Sequence, residues 1–212
     1  LQQTLLLGVG MAAGTAREQN RFRYLVPVDR RHTGLLRIVW SKSFAYLLIY
    51  IPLSVYVLGV VPHLFSLNQI GNPWEIALFI VPFLLACIFF AMTVSGFVRH
   101  REMCIVLIVF TSVPLLFISG LSWPGSAVPP VWKTISYLFP STFGIHGFVA
   151  INNMGAHLVE VRSDWNMLWV QAVVYCFTTC VVYRTSILQS RSRVLDSWRE
   201  RKEKLQKATQ GS

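Results

Sequence analysis

Few residues in this chain could carry out chemistry, and their spacing matches no known reaction. The five histidines share no metal-ligand spacing, and Cys176 and Cys180 stand four residues apart without a histidine or third cysteine nearby. There is no GxxxxGK[ST] phosphate-binding loop, no HExxH zinc motif and no GxSxG nucleophile elbow. We therefore predict no catalytic residue, cofactor or metal in this chain.

One set of polar residues leaves a membrane-embedded, lipid-modifying enzyme open as an alternative. Such an enzyme, like an ion-driven carrier, usually places ionisable groups inside its membrane spans, whereas the apolar blocks here hold no Asp, Glu or Lys well inside them. The enzyme alternative would need four residues of the predicted outer stretch to converge: His146, His157, Glu160 and Asp164.

The composition indicates which elements must position these residues. Hydrophobic residues make up 54% of the 212 residues and charged residues only 13%, and the apolar residues form long blocks. A block of about 20 apolar residues crosses a bilayer as an α-helix. The sequence predicts an all-α, polytopic integral membrane bundle in contact with lipid, with about five transmembrane helices at residues 1–16, 43–62, 76–98, 103–123 and 166–188.

The distribution of basic residues predicts the orientation of these spans. Of the 19 Lys and Arg residues, 17 fall in residues 17–42, in the short turn 99–102 and in the basic tail 189–212 with its leading Arg184. The positive-inside rule places these segments in the cytoplasm. This topology accounts for the net charge of +10, so a nucleic-acid partner is not favoured. The tail is either an amphipathic helix on the inner leaflet or a solvated extension.

The predicted cytoplasmic loop 17–42 is too long and too patterned for a simple turn. Phe22, Leu25 and Val26 supply an apolar ridge that Pro27 ends, and Asp29 could cap a following helix. A short helix protruding from the membrane would suit contact with a soluble ATPase. The alternative is a helix that rests on lipid.

The predicted outer stretch 124–165 shows helical periodicity on both sides of Pro140. Ser141 and Thr142 are placed to cap the second piece. We expect a re-entrant or amphipathic helical hairpin that dips into the outer leaflet or packs over the helix ends. The first piece carries its apolar residues at Val131, Trp132, Ile135, Leu138 and Phe139.

Several short motifs together resemble the membrane permease subunit of type-two ATP-binding-cassette (ABC-2) exporters, in particular the bacterial multidrug-efflux-like branch. On the inner side, Arg-Glu at the end of the first helix is followed by a Leu-x-Pro-Val element and by a Lys at the start of the next span. On the outer side, Pro-Pro-Val-Trp precedes Leu-Phe-Pro-Ser-Thr. The matching residues are Arg17, Glu18, Leu25, Pro27, Val28, Lys42, Pro129, Pro130, Trp132, Leu138, Pro140, Ser141 and Thr142.

The resemblance implies a role for each group of residues. Arg17, Glu18, Leu25, Pro27 and Lys42 would belong to the loop that couples the permease to an ABC ATPase subunit, which would hold ATP and Mg²⁺. The outer hairpin would form a gate region, with its site residues at Pro129, Pro130, Trp132, Pro140, Ser141 and Thr142.

The resemblance also implies an assembly. A second permease copy or homologue would complete the pathway, and a periplasmic adaptor and outer-membrane channel could join it in the bacterial inner membrane. Family members have six spans and a periplasmic domain ahead of the helix that opens this chain, so we expect the chain to be the last five spans of a longer permease. The alternative is a membrane scaffold or assembly protein that transports nothing.

Overall fold

The computed structural model describes residues 1–18, 33–66, 70–98, 101–118 and 130–185, and these residues form helices joined by short turns. The all-α prediction is confirmed for this part of the chain. A π-helical segment at Tyr56–Val60 joins the second and third helices. The helices are α1 (Gln2–Glu18), α2 (Thr33–Val55), α3 (Val61–Leu64), α4 (Pro73–Ser95), α5 (Arg101–Ile118), α6 (Pro130–Ser136), α7 (Pro140–Met154) and α8 (Arg162–Thr185).

Three stretches of the described residues are helical, long and apolar enough to cross a membrane. They are Leu36–Leu64, Pro73–Ser95 and Arg162–Thr185, with mean hydropathies of 2.2, 2.7 and 1.4. A shorter apolar helix covers Glu102–Leu115. The chain is a polytopic helical membrane protein, while the crossings assigned to α1 and α5 stay predictions.

Helix α4 lies at the centre of the bundle because its sequence is apolar on every side of the helix, and its start is fixed by a cap. Asn72 caps it by accepting the Trp74 N–H at 3.4 Å, and Pro73 occupies the first turn, where its missing N–H is not needed. Phe79 and Leu84 are each 1% exposed and Ile88 is fully buried. Helices α1, α2 and α7 pack around this core.

Small residues let the helices approach closely at two crossings. A Cβ atom added at Gly10 of α1 would overlap Cys104 Sγ of α5, and one added at Gly96, just after α4, would overlap Val182 of α8. Glycine removes the side chain that would hold the two backbones apart.

Candidate functional site: an anchored helical hairpin

The hairpin consists of α6, the turn at 137–139 and α7. Pro140 is the first residue of α7 and is almost completely buried. Proline suits this position because it has no N–H and cannot extend α6 through the turn. We call residues 137–142 the apex of the hairpin.

The hairpin runs far along α4 rather than lying over its end. Moving along α7 from Gly147 through Gly144 to Phe139 at the apex, the contacts on α4 move from Phe79 through Phe83 to Phe90. The apex and α4 meet with the Phe139 and Phe90 rings 5.7 Å apart, edge to face.

The apex therefore lies deep in the bundle. Phe90 follows Pro73 by 17 residues, which corresponds to about 26 Å of helix axis. The expectation that the hairpin packs over the helix ends is therefore wrong. The glycines at 144 and 147 explain the depth, since a Cβ atom at either position would overlap a phenylalanine ring of α4.

Side chains from two other helices hold the apex. From α8, the Gln171 Nε2 donates to the Tyr137 carbonyl at 2.6 Å, and the Tyr175 hydroxyl donates to the Leu138 carbonyl. From α1, Gln2 Oε1 accepts the Ser141 N–H at 2.6 Å. The backbone groups left free by the break are thus bonded within the protein, as a dry interior requires.

The predicted capping of α7 by Ser141 and Thr142 is wrong. The residue at the cap position is Phe139, which has no acceptor side chain, and the Ser141 hydroxyl is buried without a partner. Thr142 Oγ1 donates backwards to the Ser136 carbonyl at 2.8 Å. The cap comes instead from Gln2, which lies 139 residues earlier in the chain.

The opposite end of α7 is bound to the start of α4. The Ile70 and Gly71 N–H groups donate to the Asn152 carbonyl at 3.1 and 3.3 Å. Glu75 Oε1 lies 3.1 Å from His157 Nδ1, and Glu75 Oε2 accepts the Leu158 N–H at 3.0 Å. The hydrogen bond and the charge of the Glu75 carboxylate raise the pKa of the His157 imidazole.

A cluster of three threonine hydroxyl groups, of which Thr179 is fully buried, joins α4 to α8, and sequence reasoning missed it. Thr93 Oγ1 lies 2.9 Å from Thr179 Oγ1 and 3.2 Å from Thr178 Oγ1, and Thr179 also donates to the Phe89 carbonyl at 3.0 Å. A threonine in an apolar helix does not by itself predict a contact between helices, because its hydroxyl can bond to a carbonyl of its own helix. Only the packing of α4 on α8 reveals that these three meet.

The residues predicted for ATPase coupling are only partly described. Arg17 and Glu18 are the last two residues of α1, while Leu25 and Pro27 lie outside the described residues. Lys42 lies inside α2, which begins at Thr33, so the helix starts earlier than the predicted span. The Lys42 ammonium is half-buried and 5.1 Å from the centroid of the Tyr183 ring of α8.

The residues predicted for the gate divide between the two arms of the hairpin. Pro129 lies outside the described residues, and Pro130 is the first residue of α6. Trp132 is 49% exposed, so it is free to contact lipid or another chain. Pro140, Ser141 and Thr142 lie together at the apex, against α1 and α8.

The four polar residues considered for a lipid enzyme interact in pairs, Asp164 with His146 and Glu160 with His157. His157 pairs with Glu75, a residue that was not among the four. Within the described parts of the chain, no three His, Cys, Asp or Glu side chains are grouped so as to hold a metal ion.

The fold and the hairpin define an all-helical, multi-pass membrane protein with a broken helical hairpin bonded into the bundle. Residues 30–181 match the profile of the family described as ABC-2 family transporter protein. This match covers well over half of the 212 residues, and the chain belongs to that family. No curated protein and no solved structure matches the chain significantly.

Membership of this family confirms the coarse functional prediction. The chain is an ABC-2 permease membrane domain with transmembrane helices, and such a domain lacks an ATPase site. ABC-2 permeases pair with ABC ATPase subunits.

Proposed function

We propose that this chain is the permease subunit of an ABC exporter that moves a drug-like or lipid-like amphiphile out of the cytoplasm or inner leaflet. ATP and Mg²⁺ bind a separate ATPase subunit, which contacts the permease through the loop 17–42. The observation that carries this proposal is the family match over residues 30–181. The anchored hairpin supports it, because a break between two helices inside the bundle is where a conformational change would open a path.

The positions of the charged residues in the candidate spans support a supply of energy from a separate ATPase subunit. Their acidic side chains lie near the helix ends, as with Glu75 in the first turn of α4 and Asp164 in the first turn of α8, and Lys42, half-buried inside α2, is the basic residue set further in. Ion-driven carriers place such groups near the membrane midplane. An ATPase bound at the cytoplasmic surface needs no such group in the spans.

The proposed topology follows the basic residues. The loop 17–42, the turn 99–102 and the tail 189–212 face the cytoplasm of a bacterial cell, and five spans cross its inner membrane. The hairpin then enters from the outer side and forms the outer gate, with Pro140, Ser141 and Thr142 at its deepest point. A second permease copy or homologue completes the pathway, and a periplasmic adaptor and outer-membrane channel extend it.

The family match does not name the substrate, but the exposed apolar surface favours an amphiphile. Large hydrophobic side chains remain exposed along α2 and α5, among them Phe44, Leu48, Val109 and Phe110. Such surfaces recognise shape and apolarity rather than a pattern of hydrogen bonds. Near the outer exit, Glu75 with its bonds to His157 and Leu158 would meet the head of an amphiphile.

The test is to separate ATP hydrolysis from transport with variants of the inner loop. We expect Glu18→Ala and Pro27→Gly, in the permease reconstituted with its ATPase subunit, to abolish substrate-stimulated ATP hydrolysis and transport. Glu102→Ala is the matched control, because it removes an acidic residue from the other predicted cytoplasmic turn.

Unchanged substrate-stimulated hydrolysis in both loop variants would contradict the proposed coupling. A chain that co-purifies with no ATPase would instead support the scaffold alternative.

A further inference from the structure

The start of α7 depends on a side chain from α1. The first N–H groups of a helix have no partner within the helix, and at α7 the first residue is a proline and the cap residue is Phe139. The Ser141 N–H is therefore the first donor that needs an acceptor, and Gln2 Oε1 supplies it at 2.6 Å. Gln2 is only 6% exposed, so water cannot easily replace this bond.

Helix α1 connects this bond to the predicted ATPase contact without a break. It is helical from Gln2 to Glu18, which spans about 24 Å at 1.5 Å per residue. It packs along α4 and α5, with Gly10 in close contact with Cys104. A short, unbroken helix moves as one body, so a shift at Glu18 also displaces Gln2.

The two arms of the apex are held by different helices. Gln171 and Tyr175 of α8 bind the turn that follows α6, whereas Gln2 of α1 binds the first turn of α7. Movement of α1 relative to α8 therefore acts on the junction between the arms.

We propose that α1 is a lever and that Gln2 is the latch through which it holds the hairpin closed. ATP-driven movement at Glu18 withdraws Gln2 from the Ser141 N–H and releases the apex. Gln2 is thus a positioning residue for the gate. This inference rests on the proposed exporter function, because it assigns a moving part to that gate.

The experiment reads the apex directly, with a thiol at position 141. Ser141→Cys keeps the backbone N–H and removes a hydroxyl that has no partner. It is introduced after the four native cysteines are replaced by alanine, and the intact permease–ATPase complex is reconstituted in nanodiscs. The rate of labelling by a small membrane-permeant maleimide then reports the opening of the apex.

Three further variants at the start of α1 isolate the latch. Gln2→Met keeps the shape of the side chain and removes the acceptor, whereas Gln2→Glu retains an acceptor oxygen in either protonation state. Gln3→Met is the matched control, because the Gln3 amide makes no hydrogen bond within the described residues. Without nucleotide, we expect Gln2→Met to raise the labelling rate about three- to tenfold. Gln2→Glu and Gln3→Met should label close to the parent rate.

Nucleotide dependence distinguishes a lever from a merely structural bond. ATP with vanadate should raise labelling in the Gln2 parent and leave the already open Gln2→Met variant almost unchanged. Equal labelling of Gln2→Met and Gln3→Met without nucleotide would overturn the latch. Labelling of the parent that ignores nucleotide, in a complex that still transports, would overturn the lever. A parent complex that hydrolyses ATP without transporting would count against the exporter function. The comparison of Gln2→Met with Gln3→Met labelling without nucleotide would still test whether Gln2 holds the apex closed.

Discussion

Gly147 provides a direct test of how closely the hairpin packs against α4. A Cβ atom at this position would overlap the ring of Phe79, which is 1% exposed and lies in the core. Overpacking of this kind costs about 1–3 kcal/mol. Gly147→Ala should therefore destabilise the chain, although alanine is the better helix former.

Gly59 supplies the matched control, since no atom lies within 4 Å of a Cβ placed there. Gly59 lies in the π-helical segment, so Gly59→Ala controls for the added methyl group, and we expect Gly147→Ala to lower the unfolding free energy by about 1–3 kcal/mol more. Gly144→Ala should fall between them, because its neighbour Phe83 is only half-buried and can rotate away.

The assay is SDS-induced unfolding of the purified chain in mixed micelles, followed by tryptophan fluorescence. The midpoint and the slope of each variant's unfolding curve are compared with those of the parent. A change in slope indicates altered compactness of the folded or unfolded state rather than altered stability. Equal midpoints for Gly147→Ala and Gly59→Ala would show that α7 does not pack on α4 at Phe79. The deep position of the apex would then also be wrong.

Two further predictions concern the polar contacts between helices. Thr179→Val should lower the unfolding free energy by about 0.6 kcal/mol, because it removes the buried hydroxyl that binds the Phe89 carbonyl. The control Thr185→Val should have little effect, because the Thr185 hydroxyl bonds within its own helix. The same SDS titration measures both variants, and equal losses would exclude a stabilising role for the threonine cluster. Because the ionised Glu75 carboxylate raises the His157 pKa, the pair stabilises the fold fully below about pH 6.5, down to the pH at which Glu75 is protonated, and loses this contribution as the pH rises through the folded His157 pKa. Glu75→Gln should abolish that pH dependence of the unfolding midpoint, and an unchanged pH profile would show that the pair makes no contribution.

Much of the fold could be predicted from the sequence because membrane helices leave a strong signal. The apolar block before Gly96 predicts α4. Asn72 is a typical N-cap residue and Pro73 a typical first residue of a helix, so the pair marks the start of α4. Pro140 likewise predicts the break between α6 and α7. Each of these signals is local, so no knowledge of neighbouring helices is needed.

The depth of the hairpin could not be predicted because it depends on contacts distant in sequence. Periodicity shows that α7 has an apolar face, but only Gly144 and Gly147 against α4 show how far along that helix it packs. The capping error has the same origin. Ser141 follows a proline and suits a local cap, yet the acceptor is Gln2, whose amide looks unremarkable in sequence.

The central claim is that this permease exports an amphiphile with energy from a partner ATPase. The most direct measurement is the transfer of a fluorescent amphiphile across the membrane of proteoliposomes that contain the permease and its ATPase subunit. We predict transfer that requires ATP and Mg²⁺ and stops when the catalytic carboxylate of the ATPase is replaced by an amide. Transfer that continues with the inactive ATPase, or that never responds to ATP, would contradict the account.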